Sequence, residues 1–280
     1  MGGMSSIAAP EILPEADIEI CAPQAVGPLW MAAGICLLFL AYFTIGTIRR
    51  VVVTDAPDTL PHAITYLSQI LGEWLLLGAT LATVYHRRVF LRESLLNGAR
   101  PWGTEIAYGF TVFVSFFACD AVILGLFRIA SQRLWPFNTA SHLIDTTNHW
   151  LKLEHSSALK MGPASGVDLL LWTLVCLTAG VCEELIFRGY LLRQCIAALR
   201  RLALSQNTSV ILAVILTSLL FGAVHLYEGA GGALTIGLLS ATYAVAALQL
   251  GNLRVVIIAH TLQDLSFGVV TYLNHLLIHQ

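Results

Sequence analysis

The stretch LLLWTLVCLTAGV (residues 169–181), followed at once by CEELIFRG (182–189), decides the fold. A run of apolar and small residues long enough for more than three helical turns carries no charge, then meets two glutamates and an arginine. The rest of the chain has the same character. Its 280 residues are 57% hydrophobic and 11% charged, with a mean hydropathy of +0.76. Soluble domains carry about 25% charge. Fifteen Lys+Arg and seventeen Asp+Glu cannot cover a water-facing surface of this size, so the main solvent of the chain is lipid. A soluble globular domain is excluded. A net charge of −2 and a pI near 6.5 give no basic footprint for a nucleic-acid backbone, so no nucleic-acid partner is expected.

Working outward from 169–189, apolar stretches recur at roughly 28–48, 63–86, 104–129, 166–200, 208–227, 231–250 and 253–277. Each reaches the ~20 residues that a spanning helix needs. The ~10-residue alternation of membrane β-strands is absent. These stretches predict an all-α fold: a polytopic transmembrane helix bundle of about seven spans, six to eight allowing for the overlong fourth stretch. That stretch ends in the amphipathic segment Leu192 to Arg201, which protrudes from the bilayer or breaks away as a second piece.

Three regions follow. Residues 1–27 form an acidic N-terminal tail with no Lys or Arg, residues 28–164 carry the N-terminal transmembrane helices and a long polar loop, and residues 165–277 form a C-terminal core. Basic residues in loops divide eight against six between the two sides, which decides no orientation. The protein is expected to be integral to a membrane, the cell (inner) membrane in a bacterium. The six cysteines form no CxxC pair, so neither a disulfide framework nor a zinc knuckle is supported.

The informative residues are the polar ones inside apolar helices, since an ionisable group at membrane depth costs ~2.5–3.5 kcal/mol or more on insertion scales. Glu73, Glu105, Asp120 and Asp168 stand singly in or at the edge of spans, which favours an interface position or structural pairing over chemistry. Glu183, Glu184 and Arg188 stand together. At ~100° per residue Glu184 and Arg188 are neighbours on one helical face, and Glu183 is turned away from that pair. A helix end emerging into water would account for the cluster as simply. Phe221 and His225 are one turn apart, so that the ring can shield and orient the imidazole; a histidine at the membrane interface is the plainer alternative. His260 and Asp264 repeat the i,i+4 spacing within a longer apolar run. Glu183 and His225 both lie eighteen residues from the loop around 202–206, or ~27 Å, whereas His260 is only ~12 Å from the same side. The three meet only if the end of the fourth segment extends beyond the bilayer. Gly222, Gly229, Gly231, Gly232 and Gly237 would permit the close helix approach such a meeting needs.

In order along the chain, E-E-x-x-x-R (183–188), F-x-x-x-H (221–225) and H-x-x-x-D (260–264) resemble the CPBP family, also called ABI. These are intramembrane glutamate endopeptidases that include the type II CAAX prenyl endopeptidases. The resemblance covers roughly residues 165–275, with family-like flanks at Arg188-Gly-Tyr-Leu191 and Ser218-Leu-Leu-Phe-Gly222. It implies a helical bundle around a hydrophilic cavity open to the cytoplasm, with a water activated against a peptide carbonyl. In that mapping Glu183 is the base, His225 shares the water, and His260 with Asp264 stabilises the oxyanion, supported by Glu184, Arg188 and Phe221. No cofactor and no metal is implied. The partners are the lipid bilayer and a peptide or protein substrate, lipidated in the prenyl-processing members.

The chemistry suits the residue types. A carboxylate withdrawn from bulk water accepts a proton readily, and histidines supply donors for a developing oxyanion. Relatives often carry Asn where this chain has Asp264, and an ionised carboxylate cannot donate. Asp264 is therefore either a neutral acid, the reading favoured here, or an ionised orienter of His260. Two other functions fit the same residues. One Glu and two His could hold zinc with an open position, although no HExxH pair is present. A transporter or scaffold could use them as a proton or ion relay.

Overall fold

The computed structural model describes residues 31–39, 41, 62–84, 86–98, 100–134, 162–228 and 230–278, with side chains of 119–134, 230–231 and 278 left aside. The acidic tail, most of the first apolar stretch, and the polar loop after residue 134 lie outside the described residues, as does the side chain of Asp120. Among the described residues the fold is all-helical. Its elements are α1 (His62–Thr83), α2 (Arg87–Leu96), α3 (Trp102–Leu134), α4 (Gly166–Glu184), a π-helical segment (Leu185–Leu191), α5 (Leu192–Arg201), α6 (Gln206–Val224), a short 3-10 turn (Leu226–Glu228), α7 (Ala230–Leu250) and α8 (Arg254–Ile278).

Four helices among the described residues are long and apolar enough to cross a membrane, or five if α1 and α2, bent by 118° at their junction, count as one broken span. The expected seven is not reached by this count. Lipid-facing surfaces are plain in the packing. Leu71 and Leu75 on α1, Leu170 and Leu177 on α4, Leu219 on α6 and Leu277 on α8 are all more than half exposed. Charged and polar groups lie inside instead: Glu73, Glu105, Glu183, Glu184 and Arg188 are buried. That inversion is what lipid imposes, because an apolar face is free to meet hydrocarbon while each ionic group must find partners within the bundle. The chain is an integral membrane protein.

The spine is one continuous rod of 36 residues, Gly166–Arg201, made by α4, the π segment and α5. Ser165 caps its start, its side chain accepting from the Asp168 backbone N–H. At 1.5 Å per residue the rod is ~54 Å long, well beyond a ~30 Å hydrocarbon core. The α7–α8 turn shows where the excess lies. A Cβ placed on Gly189 would meet Phe90, Leu253 and Ser94, and the Leu253 N–H donates to the Ser94 carbonyl at 2.8 Å. The turn at Leu253 is thus level with Gly189, and α5 projects past it. His260 is one turn and a half to two turns from that level, as are Glu183 and Glu184, so the depth mismatch in the sequence vanishes.

Helix α1 lies parallel to the spine in constant register. His62 pairs with Asp168 at 3.5 Å, the Tyr66 ring packs edge-on against Trp172 at 5.5 Å, and Thr83 donates to the Tyr190 hydroxyl at 3.0 Å. The separation is 106 residues at the first two contacts and 107 at the third, so the spine gains one residue on its neighbour between Trp172 and Tyr190. A π turn adds such a residue without interrupting the helix. Helix α8 runs antiparallel to α4. Trp172 Nε1 donates to the Asp264 carbonyl at 3.0 Å, and a Cβ on Gly180 would strike Thr261 Oγ1. Helices α6 and α7 form a hairpin that closes at glycine: a Cβ on Gly222 would stand 2.6 Å from the Ala233 carbonyl oxygen and 3.3 Å from the Gly237 Cα. Of the glycines named for close approach, Gly222 and Gly237 serve that role.

Candidate active site

Glu184 is the last residue of α4, and the π segment begins at the next residue. All seven residues of that segment are buried, Arg188 among them. Arg188 Nη1 donates to Glu184 Oε1 at 2.9 Å, the ion pair expected from the i,i+4 spacing. Its other arm donates to the Ser240 carbonyl at 3.2 Å. The guanidinium carbon sits 4.5 Å from the centre of the Phe221 ring and 5.7 Å from that of Tyr243. A cation caged in this way is neutralised and fixed at once.

The same Glu184 oxygen receives His260 Nδ1 at 2.8 Å. This bond joins α4 to α8, and nothing in the sequence of either helix points to it. The other ring nitrogen, Nε2, lies 3.4 Å from Asp264 Oδ2 and 3.9 Å from Glu183 Oε2. His260 therefore stands among three carboxyl groups. Glu184 orients the ring from one side while Nε2 faces Glu183 and Asp264 on the other. The expected His260–Asp264 neighbour relation is present in the geometry. Asp264 is the most open member, its side chain 32% exposed, whereas Glu183 is at 5% and His260 at 7%.

His225 ends α6 as its C-cap residue, beyond the last helical turn. Its Nδ1 lies 2.8 Å from the Phe221 carbonyl oxygen. A carbonyl only accepts, so Nδ1 carries the hydrogen, and the neutral ring then presents its lone pair at Nε2. The Phe221 ring packs against the imidazole at 4.8 Å, between His225 and the caged Arg188, and is 6.2 Å from His260. Phe221 thus holds His225 by its backbone and its ring together, with Phe187 behind it at 4.7 Å.

The structure brings together the seven residues singled out in the sequence: Glu183, Glu184, Arg188, Phe221, His225, His260 and Asp264. Three more enter from packing. Tyr243 on α7 places its ring 5.9 Å from His260, with a buried hydroxyl that has no hydrogen-bond partner among the described residues. Trp172 ties down the backbone of Asp264. Glu73, 1% exposed on α1, is a third, and the charge of Glu183 acts on it ahead of those of Asp264 and His260. Asp168 and Glu105, by contrast, do pair structurally, with His62 and with Arg100 and Asn252. Among the described residues no three His, Cys, Asp or Glu side chains converge as a metal-ligand set.

Residues 165–266 match the family model described as type II CAAX prenyl endopeptidase Rce1-like. All three motifs fall inside the matched span, and α1 to α3 fall outside it. Comparison with curated proteins and with solved structures gave no match.

Proposed function

We infer, from a site-bearing region that belongs to the CPBP family of CAAX-type membrane proteases, that this protein is an intramembrane endopeptidase. Its substrate is a peptide bond in a membrane-associated or lipidated protein, and its nucleophile is a water activated by Glu183 and His225. One observation carries the reading. Glu183 is buried, its Oε2 has no hydrogen-bond partner among the described residues, and His260 Nε2 faces it from 3.9 Å while the other ring nitrogen is fixed by Glu184. Glu184, by contrast, takes Arg188 and His260 together on its Oε1.

The roles follow from the geometry. Glu183 takes a proton from water as the water oxygen attacks the carbonyl carbon, then returns it to the leaving nitrogen. His225, its Nδ1 hydrogen committed to the Phe221 carbonyl, offers Nε2 to the same water. His260, held through Nδ1 by Glu184, directs Nε2 into the space between Glu183 and Asp264 and donates to the developing oxyanion. Asp264 is better read as the orienter of His260 than as the oxyanion donor favoured from sequence, because its Oδ2 is turned toward the ring, 3.4 Å from Nε2. The Glu184–Arg188 pair sets the position of His260 and brings no net charge to the pocket.

The test uses purified full-length protein in detergent with a panel of prenylated CAAX peptides and unprenylated membrane peptides, with and without phenanthroline. Cleavage of at least one peptide that survives chelation and disappears in Glu183→Gln supports the reading. Cleavage abolished by chelator and restored by zinc would replace it with a metalloprotease, and no cleavage of any peptide would favour the relay or scaffold function.

A further inference from the structure

Glu73 sits on α1, outside the matched region, and is 1% exposed. The register of α1 on the spine, 106 residues through His62–Asp168 and Tyr66–Trp172, sets Glu73 level with Ala179 and Gly180. Those are small residues one turn before Glu183, or ~6 Å along the helix. One oxygen of Glu73 accepts from Gln69 Nε2 at 3.0 Å. The other, Oε2, has no hydrogen-bond partner among the described residues, and the same is true of Glu183 Oε2.

A buried carboxyl placed for structure alone would meet a cation. Arg188 is committed to Glu184, the Ser240 carbonyl and the Phe221 ring, and the charges that act on Glu73 are those of Glu183 first, then Asp264 and His260. Two like charges in one dry pocket repel strongly, and carboxyl pairs in that situation carry a single proton between them.

We propose that Glu73 is a further residue of the site, a positioning partner of Glu183 with which it holds one proton in common. This rests on the reading of Glu183 as the proton acceptor. The proton count closes. At the start the pair carries one proton, on Glu73, and Glu183 is the free carboxylate. When Glu183 takes the proton of the attacking water, both groups are neutral and the negative charge has moved to the carbonyl oxygen. When Glu183 passes its proton to the leaving nitrogen, the C–N bond breaks and the pair returns to one proton. Glu73 neither touches the peptide nor gives up its proton. It keeps a second negative charge out of the pocket at the moment the oxyanion forms.

A hydrophobic carbodiimide adds to protonated carboxyl groups and enters detergent-solubilised helices, so peptide mapping of the full-length protein after labelling across a pH series reads each carboxyl separately. In wild type, labelling of the Glu73–Glu183 pair persists toward high pH because the last shared proton is hard to remove. In Glu183→Gln the repulsion is gone, and labelling of Glu73 is lost about one pH unit lower or more, the separation expected of coupled groups. Glu183→Ala repeats the measurement at Glu73, which keeps the test available if one variant does not fold. Labelling curves for Glu73 that coincide with wild type overturn the proposal. The result is independent of peptidase activity: if no peptide is cleaved, the protease reading falls while the curves still decide the pair, and if cleavage is intact with coincident curves, the pair alone falls.

Discussion

Two buried acidic clusters in this molecule look alike by burial and differ in everything else. Glu105, at the start of α3, is fully buried, and so is Glu184 at the end of α4. Glu105 Oε1 accepts from the Arg100 backbone N–H at 2.8 Å and faces the Asn252 amide at 3.5 Å. Its guanidinium partner is 4.0 Å away and one-third exposed. All of these contacts lie at the junction of α3 with the α7–α8 turn, and they fasten the start of that helix to the turn. At Glu184 the partners are Arg188 at 2.9 Å and His260 at 2.8 Å, both buried, with Glu183, Asp264, His225 and Glu73 crowded behind them. A buried acid is therefore no sign of chemistry in itself. What marks the second cluster is the convergence of titratable groups from four helices, α1, α4, α6 and α8, since both clusters leave a carboxylate oxygen without a hydrogen-bond partner among the described residues.

The contrast is sharpest in the two arginines. Arg188→Ala strands Glu184 without its cation in a dry setting, and removing one partner of a buried pair costs about 3–5 kcal/mol. A fall in melting temperature with loss of cleavage is expected, because Glu184, the anchor of His260, loses the cation that fixes it. Arg100→Ala removes a long, partly solvated contact, for which about 0–1 kcal/mol is the usual range. Thermal unfolding of both variants in the same detergent checks the pair; equal losses would break the comparison.

Packing behind the site gives the next effect in size. Gly180→Val forces β-branched bulk against Thr261 and the backbone of Ile257, where even one Cβ collides. Overpacking of this kind costs about 1–3 kcal/mol, and here it also pushes α8, with His260, away from Glu183. Turnover should fall more than stability does, and Gly34→Val, at a position with open space around it, should leave turnover near wild type. Smaller still is Phe221→Leu, which keeps the carbonyl that accepts from His225 but removes the ring over Arg188. A cation–π contact of this type is worth about 0.5–2 kcal/mol. Differential scanning of Phe221→Leu alone and with Arg188→Ala should show non-additive losses, since the two side chains touch.

Much of the site was legible because its pairs are local. Glu184–Arg188, Phe221–His225 and His260–Asp264 all have i,i+4 spacing, and a helix places such residues together whatever the tertiary fold. The bond between His260 and Glu184, 76 residues apart, was not legible, because it depends on the antiparallel register of α4 and α8. Nor was the depth of His260: nothing in residues 166–201 says that α5 projects beyond the turn at Leu253. The π segment has no signature in Leu185-Ile-Phe-Arg-Gly-Tyr-Leu191, and it becomes visible only in the one-residue shift against α1. Glu73 stands alone in the sequence for the same reason, since Glu183 lies on another helix more than 100 residues away. The apolar stretches gave the all-helical class directly, whereas counting them fixed the number of spans less well.

Side-by-side assay of Glu183→Gln and Glu105→Gln tests the central distinction most directly. Both substitutions keep the shape of the side chain and remove its charge from a buried position. Glu183→Gln is expected to lose roughly 100- to 10,000-fold in peptide turnover, the range for a lost general base, while its melting temperature stays close to wild type. Glu105→Gln is expected to keep turnover within a fewfold of wild type and to spend its effect on stability. Retained turnover in Glu183→Gln, with loss in Glu105→Gln, would contradict the account.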